Sequence, residues 1–247
     1  MSVVVPALNE AANLREVLPT LPEVHQVLVV DGGSVDGTVQ AALDARPGVE
    51  VTSQVRRGKG NALAAGFARV TGDVVVMFDA DGSAGAREIP RFVQALVDGA
   101  DVAQGTRFRG GGGSADLTPV RRLGNAFLRA TMNAAFRTRC SDLCYGYNAF
   151  WADLLPLLDL PDPDRVVPPD SPMLWGDGFE IETVIACRFA AAGLAVAEVP
   201  SVELPRLHGE SHLHAVSDGL RVLRTIATER ARVRRTAVAD AALLDRS

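Results

Sequence analysis

Cysteine is scarce in this chain: Cys140, Cys144 and Cys187 are the whole complement. Only Cys140 and Cys144 lie close together, and no second pair completes a zinc set. An odd count with no leader segment points to reduced thiols that pack, and so to a cytoplasmic protein. Excess positive charge is also missing. The formal net charge is −5 and the pI about 5.4, so nothing draws the whole molecule to nucleic acid, and any anion must be held by local groups. No apolar run approaches the roughly 18–20 residues of a membrane span. The first residues, MSVVVPALNE, show no basic segment, long apolar core or small-residue cleavage site. The expectation is therefore a core strand that begins at once, not a signal peptide. No internal repeat is present.

What is there suffices for a large core: 247 residues, 47% of them hydrophobic. This fits one α/β domain, or one with an appendage. Apolar runs alternate with helical patterns as far as about residue 105. SVVVPA (2–7), QVLVVDGG (26–33) and DVVVMFDADG (73–82) read as fully buried parallel strands, each ending in turn chemistry; VEVTSQ (49–54) and ADVAQGTR (100–107) read as shorter ones. Between them, NEAANLREVLPTL, SVDGTVQAALDAR, GNALAAGFARVT and AREIPRFVQALVDG carry the 3–4 spacing of amphipathic helices. A βαβα series implies right-handed crossovers and a mostly parallel, Rossmann-like sheet with helices on both faces. Ligands in such sheets sit outside the carboxyl ends of the strands.

The second half is less regular. RGGGGSAD (109–116) is either a mobile flap or an ordinary surface loop. A helix is expected from about Val120 to Arg137, another around Phe179–Ala192, a late strand in LAVAEVPSVEL, and a C-terminal helix over His214–Arg235. The expected division is a domain over 1–213, with a nucleotide-sugar half (1–107) and an acceptor half (108–213), then a helix and tail over 214–247. The last helix has an apolar stripe among arginines. It either docks on the core, the simpler reading, or lies peripherally on a membrane face. The sequence is equally compatible with a monomer and a homodimer.

Chemistry concentrates at the strand tips. Pro6, Ala7, Asn9 and Glu10 follow the first strand, and Asp31-Gly32-Gly33 the second. Glycines let backbone approach a ligand, and Asp31 can accept bonds from a base or ribose. Ser34, Asp36 and Thr38 read more simply as turn and cap residues. Arg57-Gly58-Lys59-Gly60 sets cations and flexible backbone at a third junction, which suits a diphosphate or a solvated basic turn. In VVVMFDADGS, Asp79 and Asp81 flank Ala80 at the end of a buried run. At strand spacing both carboxylates face one side, with Cα atoms roughly 6.5–7 Å apart. A carboxylate pair there repels itself unless a cation intervenes, and Mg²⁺ or Mn²⁺ prefers such oxygens and shares its shell with phosphates.

The blocks PALNEAANL, VVDGGSVDGT, RGKGNAL and GDVVVMFDADGS, in that order and followed by Gly105-Thr106-Arg107, resemble glycosyltransferase family 2 with its GT-A fold. The resemblance spans about residues 2–215. It is nearest to the polyprenyl-phosphate sugar transferases, which share a segment like Ser141–Phe150 and one like Glu198–Ser211. It implies that Pro6, Ala7, Asn9, Glu10, Asp31, Gly32, Lys59 and Ala80 line the donor nucleotide, a UDP- or GDP-sugar. Asp79 and Asp81 would hold Mg²⁺ or Mn²⁺ on the donor diphosphate, and the acceptor would attack the anomeric carbon in one inverting displacement. A polyprenyl phosphate acceptor needs cations around it, for which Arg107, Arg121, Arg122 and Arg206 are candidates. A hydroxyl acceptor needs a base, for which Asp142, Asp177, Glu180 and Glu182 are the options. Departures from the family pattern are Gly32 where a second aspartate is common, Ser83 at a third ligand position and His212 in place of a lysine. Arg206-Leu207-His208 instead resembles the R-x-H of glucosyl-3-phosphoglycerate synthases, which makes His208 a candidate third metal ligand.

Two of three rival readings stay open. The same donor chemistry could serve a soluble acceptor, either a phosphoglycerate-like molecule or a natural-product hydroxyl. A nucleotidyltransferase would show a glycine-rich loop with a lysine after the first strand, where this chain has PALNEAAN. A non-catalytic nucleotide-sugar binding module would bind nucleotide and turn nothing over.

Overall fold

The computed structural model describes residues 1–114, 118–168, 170–209 and 215–244, without the side chains of 120, 121, 215, 216 and 236–244. Its main sheet begins with three buried strands, β1 (Ser2–Ala7), β2 (Gln26–Asp31) and β4 (Val74–Met77), with β3 (Glu50–Ser53) beside β2. β1 lies parallel between β2 and β4, in a register that places Ala7 beside Asp31. Covered on both faces, these strands are apolar at nearly every position and show no alternation. The sheet continues through β5 (Val102–Thr106), β7 (Asn148–Trp151) and β8 (Val196–Pro200), in the order β3-β2-β1-β4-β7-β5-β8. β7 is antiparallel to both β4 and β5, an insertion the sequence reading did not contain.

Helices cover both faces, as expected. α1 (Ala11–Val17), α2 (Thr38–Ala45) and α4 (Ile89–Val97) pack on one side through Leu14, Val17, Ala42, Ile89 and Phe92. α3 (Lys59–Phe67) and α6 (Ile181–Ala191) pack on the other through Leu63, Ile181 and Phe189. Gly66 lets α3 approach the sheet closely, since a Cβ there would fall 2.4 Å from Val4 Cγ1. The glycine-rich stretch is tied down within its described part. Gly113 N donates to Ser201 O, and β6 (Gly113–Ser114) pairs with β9 (Val202–Glu203).

α5 (Pro119–Phe136) and α7 (Ala215–Leu244) form a further layer over α6, with Leu128, Met132, Cys187 and Ile226 between them. The last helix thus docks, but on helices and not on the sheet, and it is longer than the arginine-bounded pattern suggested. Its anchor is Glu229, whose side chain is 2% exposed. The carboxylate accepts from Arg188 Nε and Nη2, each at 3.0 Å, and from Trp175 Nε1 at 2.7 Å. Burial alone would raise this carboxyl's pKa; the bonds from Arg188 and Trp175 and the charges of Arg188 and Arg232 outweigh it and hold the pKa below the ordinary 4.5. A carboxyl held down in the folded state stabilises above its unfolded pKa and loses that contribution as pH falls through the folded one. The docking of α7 is therefore expected to weaken below about pH 4.5. Melting curves across acid pH test this: Glu229→Gln should flatten the acid limb, and an unchanged limb would contradict the assignment.

Candidate active site

The chain winds from β1 through β2 to β3 in one direction and resumes at β4 on the other side of β1. The order therefore reverses between β1 and β4, where an open α/β sheet forms its ligand crevice. The segments leaving these two strands are the ones that carry Asn9-Glu10 and Asp79-Ala80-Asp81. Ala80 turns into the core, 4% exposed. The aspartates on either side turn out, their side chains 34% and 23% exposed.

Each aspartate meets its own cation. Lys59, the only lysine in the chain, sits at the start of α3 with Nζ 2.6 Å from Asp79 Oδ1 and 2.6 Å from Glu182 Oε1. Burial disfavours its charge, but the two carboxylates prevail and raise its pKa well above the usual lysine range. Arg206 Nη1 lies 3.2 Å from Asp81 Oδ2, and its Nη2 bonds Glu10. The segment bearing Arg206 runs along the strand end, Leu204 N donating to Ser83 O at 2.9 Å and Leu207 N to Asp81 O at 3.0 Å. Arg206 is thereby held across the crevice, between the tips of β1 and β4.

His208 does not join them. Asn13 fixes its backbone from both sides, accepting from His208 N at 2.9 Å and donating to His208 O at 3.2 Å. The ring then reaches Glu16, 2.5 Å away on the next turn of α1. Among the described residues no trio of His, Cys, Asp or Glu side chains is placed to hold a metal. The Asp79–Asp81 pair still fits Mg²⁺ or Mn²⁺, which need few protein carboxylates when substrate phosphates complete the shell. Gly146 keeps the space beside the pair open: a Cβ there would lie 2.4 Å from Glu182 Oε1 and 3.3 Å from Asp79 Oδ2. Gly146→Ala is expected to lower kcat/KM about 10–100-fold, the usual cost of disturbing groups behind a metal site, with little change in melting temperature. Steady-state kinetics test it, and full activity would contradict it.

The tips of β1 and β2 brace each other. Asn9, at φ 56°, accepts from Val35 N at 2.9 Å and donates its own N–H to Ser34 Oγ at 2.8 Å. Asp36 accepts from Ala11 N and Thr38 Oγ1 accepts from Glu10 N, so the β2 loop caps α1 rather than its own helix alone. Asp31, 5% exposed, accepts from Gly33 N and Ser34 N, and Gly32 N donates to Ala7 O at 2.8 Å. Pro6 and Ala7 end β1 beside this turn.

Comparison with known proteins decides what the crevice belongs to. Residues 2–155 match the model of the family described as glycosyl transferase family 2. The chain belongs to this family. The glycosyltransferase is 31% identical over 228 residues to the polyprenol monophosphomannose synthase of Mycolicibacterium smegmatis, covering 85% of this chain and 80% of that one. It is 32% identical over 227 residues to the undecaprenyl-phosphate mannosyltransferase of Micrococcus luteus, covering 85% and 86%. Its fold is similar to glucosyl-3-phosphoglycerate synthase from Mycobacterium tuberculosis, solved with Mn²⁺, UDP-glucose and phosphoglyceric acid. The TM-score is 0.68 at 26% identity, over 93% of this chain and 79% of the other. The sheet is that of the GT-A glycosyltransferases.

Most of the other candidate groups of the glycosyltransferase are already engaged. Asp142 is fully buried; Arg107 holds it through Nε at 2.7 Å and Nη2 at 2.9 Å, and Asn125 Nδ2 adds a bond at 3.3 Å. Arg107 also pairs with Glu203 at 3.0 Å and lies over the Tyr145 ring, 5.0 Å from its centroid. Asp142 is thus no free base and Arg107 no free cation. Glu180 accepts from Gly176 N and Gly178 N. Arg122 is exposed, and the side chain of Arg121 lies outside the described residues, as do Ser211 and His212.

At the basic junction before α3, Arg57 is exposed and Lys59 turns to the aspartates, while the neighbouring Arg56 is used structurally. Arg56 is buried against Asp177, and Asp177 O accepts from Gly60 N at 2.7 Å and Asn61 N at 3.1 Å. A Cβ on Gly58 would meet Asp177 O at 2.1 Å, and one on Gly60 would meet Gly176 O at 1.8 Å. These glycines admit the 176–177 backbone, and only Lys59 of this junction reaches the aspartates. Sequence reasoning named Glu182 as one of several bases and missed it as the partner of Lys59; Gly146 was missed altogether. Both sat within segments already singled out, but only the chain's path brings them to Asp79.

Proposed function

We propose that this glycosyltransferase moves a hexose from a nucleoside-diphosphate sugar to a polyprenyl phosphate, with inversion at the anomeric carbon. The observation that carries the reading is the Asp79–Asp81 pair at the switch point with Lys59 and Arg206 beside it: two hard anionic donors and two cations where a diphosphate would lie. Asp79 and Asp81 would hold Mg²⁺ or Mn²⁺, which supplies charge neutralisation for the departing diphosphate. Lys59 orients Asp79, and Arg206 is placed to contact phosphate oxygens once a ligand draws it from Asp81. Asp31 and the backbone around Gly32 and Gly33 form the edge that meets the nucleoside.

The state of the carboxylates supports a phosphate acceptor. A hydroxyl must lose a proton during attack and needs a base within reach. Asp142 is held by Arg107, Asp177 by Arg56, Glu182 by Lys59 and Glu180 by backbone amides. A phosphate is already anionic and needs none. The two mannosyltransferases named above for lipid phosphates support the same acceptor. A phosphoglycerate-like soluble acceptor is the second reading, favoured by the likeness to glucosyl-3-phosphoglycerate synthase.

A transfer assay tests both. Purified protein is supplied with Mn²⁺ or Mg²⁺, labelled UDP- and GDP-sugars, and polyprenyl phosphate or 3-phosphoglycerate, and the label is partitioned between organic and aqueous phases. Metal-dependent label in the organic phase, as the β-linked product of an α-linked donor, is expected. Label transferred only to phosphoglycerate would overturn the lipid acceptor and keep the site.

A further inference from the structure

The outer surface of the α5–α7 layer carries exposed apolar side chains in rows along both helices. On α5, Leu123 and Phe127 are 75% and 60% exposed, and Ala130 and Ala134 continue the same stripe at helical spacing. On α7, Leu220 is 63% exposed, followed along its outer side by Ala227 and Ala231. Between the helices runs a groove of about 420 Å³, lined by Thr131 and Ala135 of α5 and by Leu223, Ile226 and Ala231 of α7. Single exposed apolar residues are ordinary on a protein surface, but a stripe joined to an apolar groove marks a place of contact.

Charge identifies the contact. Residues 118–139 contain no aspartate or glutamate, while Arg122, Arg137 and Arg139 stand exposed there; on α7 Arg224, Arg234 and Arg235 do the same. The acidic groups of α7 before Arg235 are spoken for: Glu229 is buried on Arg188, and Asp218 bonds Arg221 at 2.7 Å. In a chain of net charge −5, this layer thus brings exposed arginines together with the exposed Leu123, Phe127 and Leu220. We propose that this α5–α7 face docks on an anionic phospholipid surface, Leu123, Phe127 and Leu220 entering the interface and the arginines meeting headgroup phosphates. A second copy of the chain fits poorly, because a twofold contact would set the same arginines against one another.

Docking also orients the enzyme. The inner side of α5 carries Asn125, whose amide donates to Asp142, so a seated α5 holds the Arg107–Asp142 pair on the lipid side of the molecule. The inference does not require the lipid acceptor: vesicle binding and acceptor choice are separate measurements, and either can fail alone.

Flotation of the full chain with mixed phosphatidylglycerol–phosphatidylcholine vesicles, against pure phosphatidylcholine, is the test. The protein is expected to partition at least about tenfold better onto the anionic vesicles, and less as salt is raised. Leu123→Ser with Phe127→Ser should reduce partition about tenfold or more. Arg224→Gln and Arg234→Gln should each reduce it about fivefold, and these exposed substitutions should leave the melting temperature unchanged. Absence of flotation, equal flotation on neutral vesicles, or a dimer in solution that the same substitutions dissolve would overturn the proposal.

Discussion

Asp81→Asn is expected to lower kcat/KM about 10³-fold, about 4 kcal/mol of transition-state stabilisation, while leaving the fold intact. The substitution keeps the shape of the side chain and removes its charge, so a divalent cation held between the two aspartates would lose one of its protein anions. The folded state loses little, because the Asp81–Arg206 pair is partly exposed, with side chains 23% and 26% accessible. Pairs of that kind contribute about 0–1 kcal/mol. The melting temperature should therefore barely move while activity collapses, and that combination distinguishes a reacting group from a structural one. Steady-state rates with the preferred donor, next to a thermal melt, decide it. Activity within tenfold of the parent would remove Asp81 from the mechanism.

Asp177→Ala is expected to act through stability instead, by about 3–5 kcal/mol. Arg56 and Asp177 face each other in two parallel bonds, Nε to Oδ2 at 2.6 Å and Nη2 to Oδ1 at 2.9 Å, with side chains only 4% and 2% exposed. Arg56 also donates to the backbone oxygens of Asp162 at 2.8 Å and Arg165 at 2.7 Å, so it cannot swing into water without freeing that segment. Removal of the carboxylate strands a buried guanidinium, and several kcal/mol is a large part of the total stability of a typical domain. Replacing both partners with apolar groups, Arg56→Met with Asp177→Leu, should recover most of the loss, because the penalty lies in the uncompensated charge and not in the missing bonds. Denaturant unfolding of the single and double variants measures this. A loss below 1 kcal/mol in the single variant would contradict it.

Much of the first half of the chain was legible because its physics is local. Val3, Val4, Val5, Val29, Val75 and Val76 are buried on strands covered from both sides, and such strands announce themselves as unbroken apolar runs. The Asp79–Asp81 pair stood out for the same reason, as charge set directly after one of those runs. β7 did not stand out: Asn148–Trp151 is four residues long, lies between aromatics and a proline-bearing 3-10 helix (Ala152–Leu158), and takes its place only by pairing with strands far away in sequence. Partners were the other hidden element. Lys59 meets Glu182 from 123 positions away and Arg206 meets Glu10 from 196, and no spacing rule relates such residues. The same gap explains Asp142, which reads as a free acid in "CSDLCYGYNAF" until Arg107 is seen to hold it, and His208, whose ring is drawn to Glu16. The glycines of RGKG were visible, but the backbone they make room for was not.

In the proposed reaction Asp79 and Asp81 together would hold the divalent cation that the donor diphosphate requires. This is tested most directly by titrating Mn²⁺ into the purified protein with saturating UDP or GDP and reading free Mn²⁺ by electron paramagnetic resonance. A single Mn²⁺ bound per chain in the presence of the correct nucleotide, and lost in Asp79→Asn with Asp81→Asn, is the predicted result. Mn²⁺ bound equally well by that double variant, or by neither protein with either nucleotide, would contradict it.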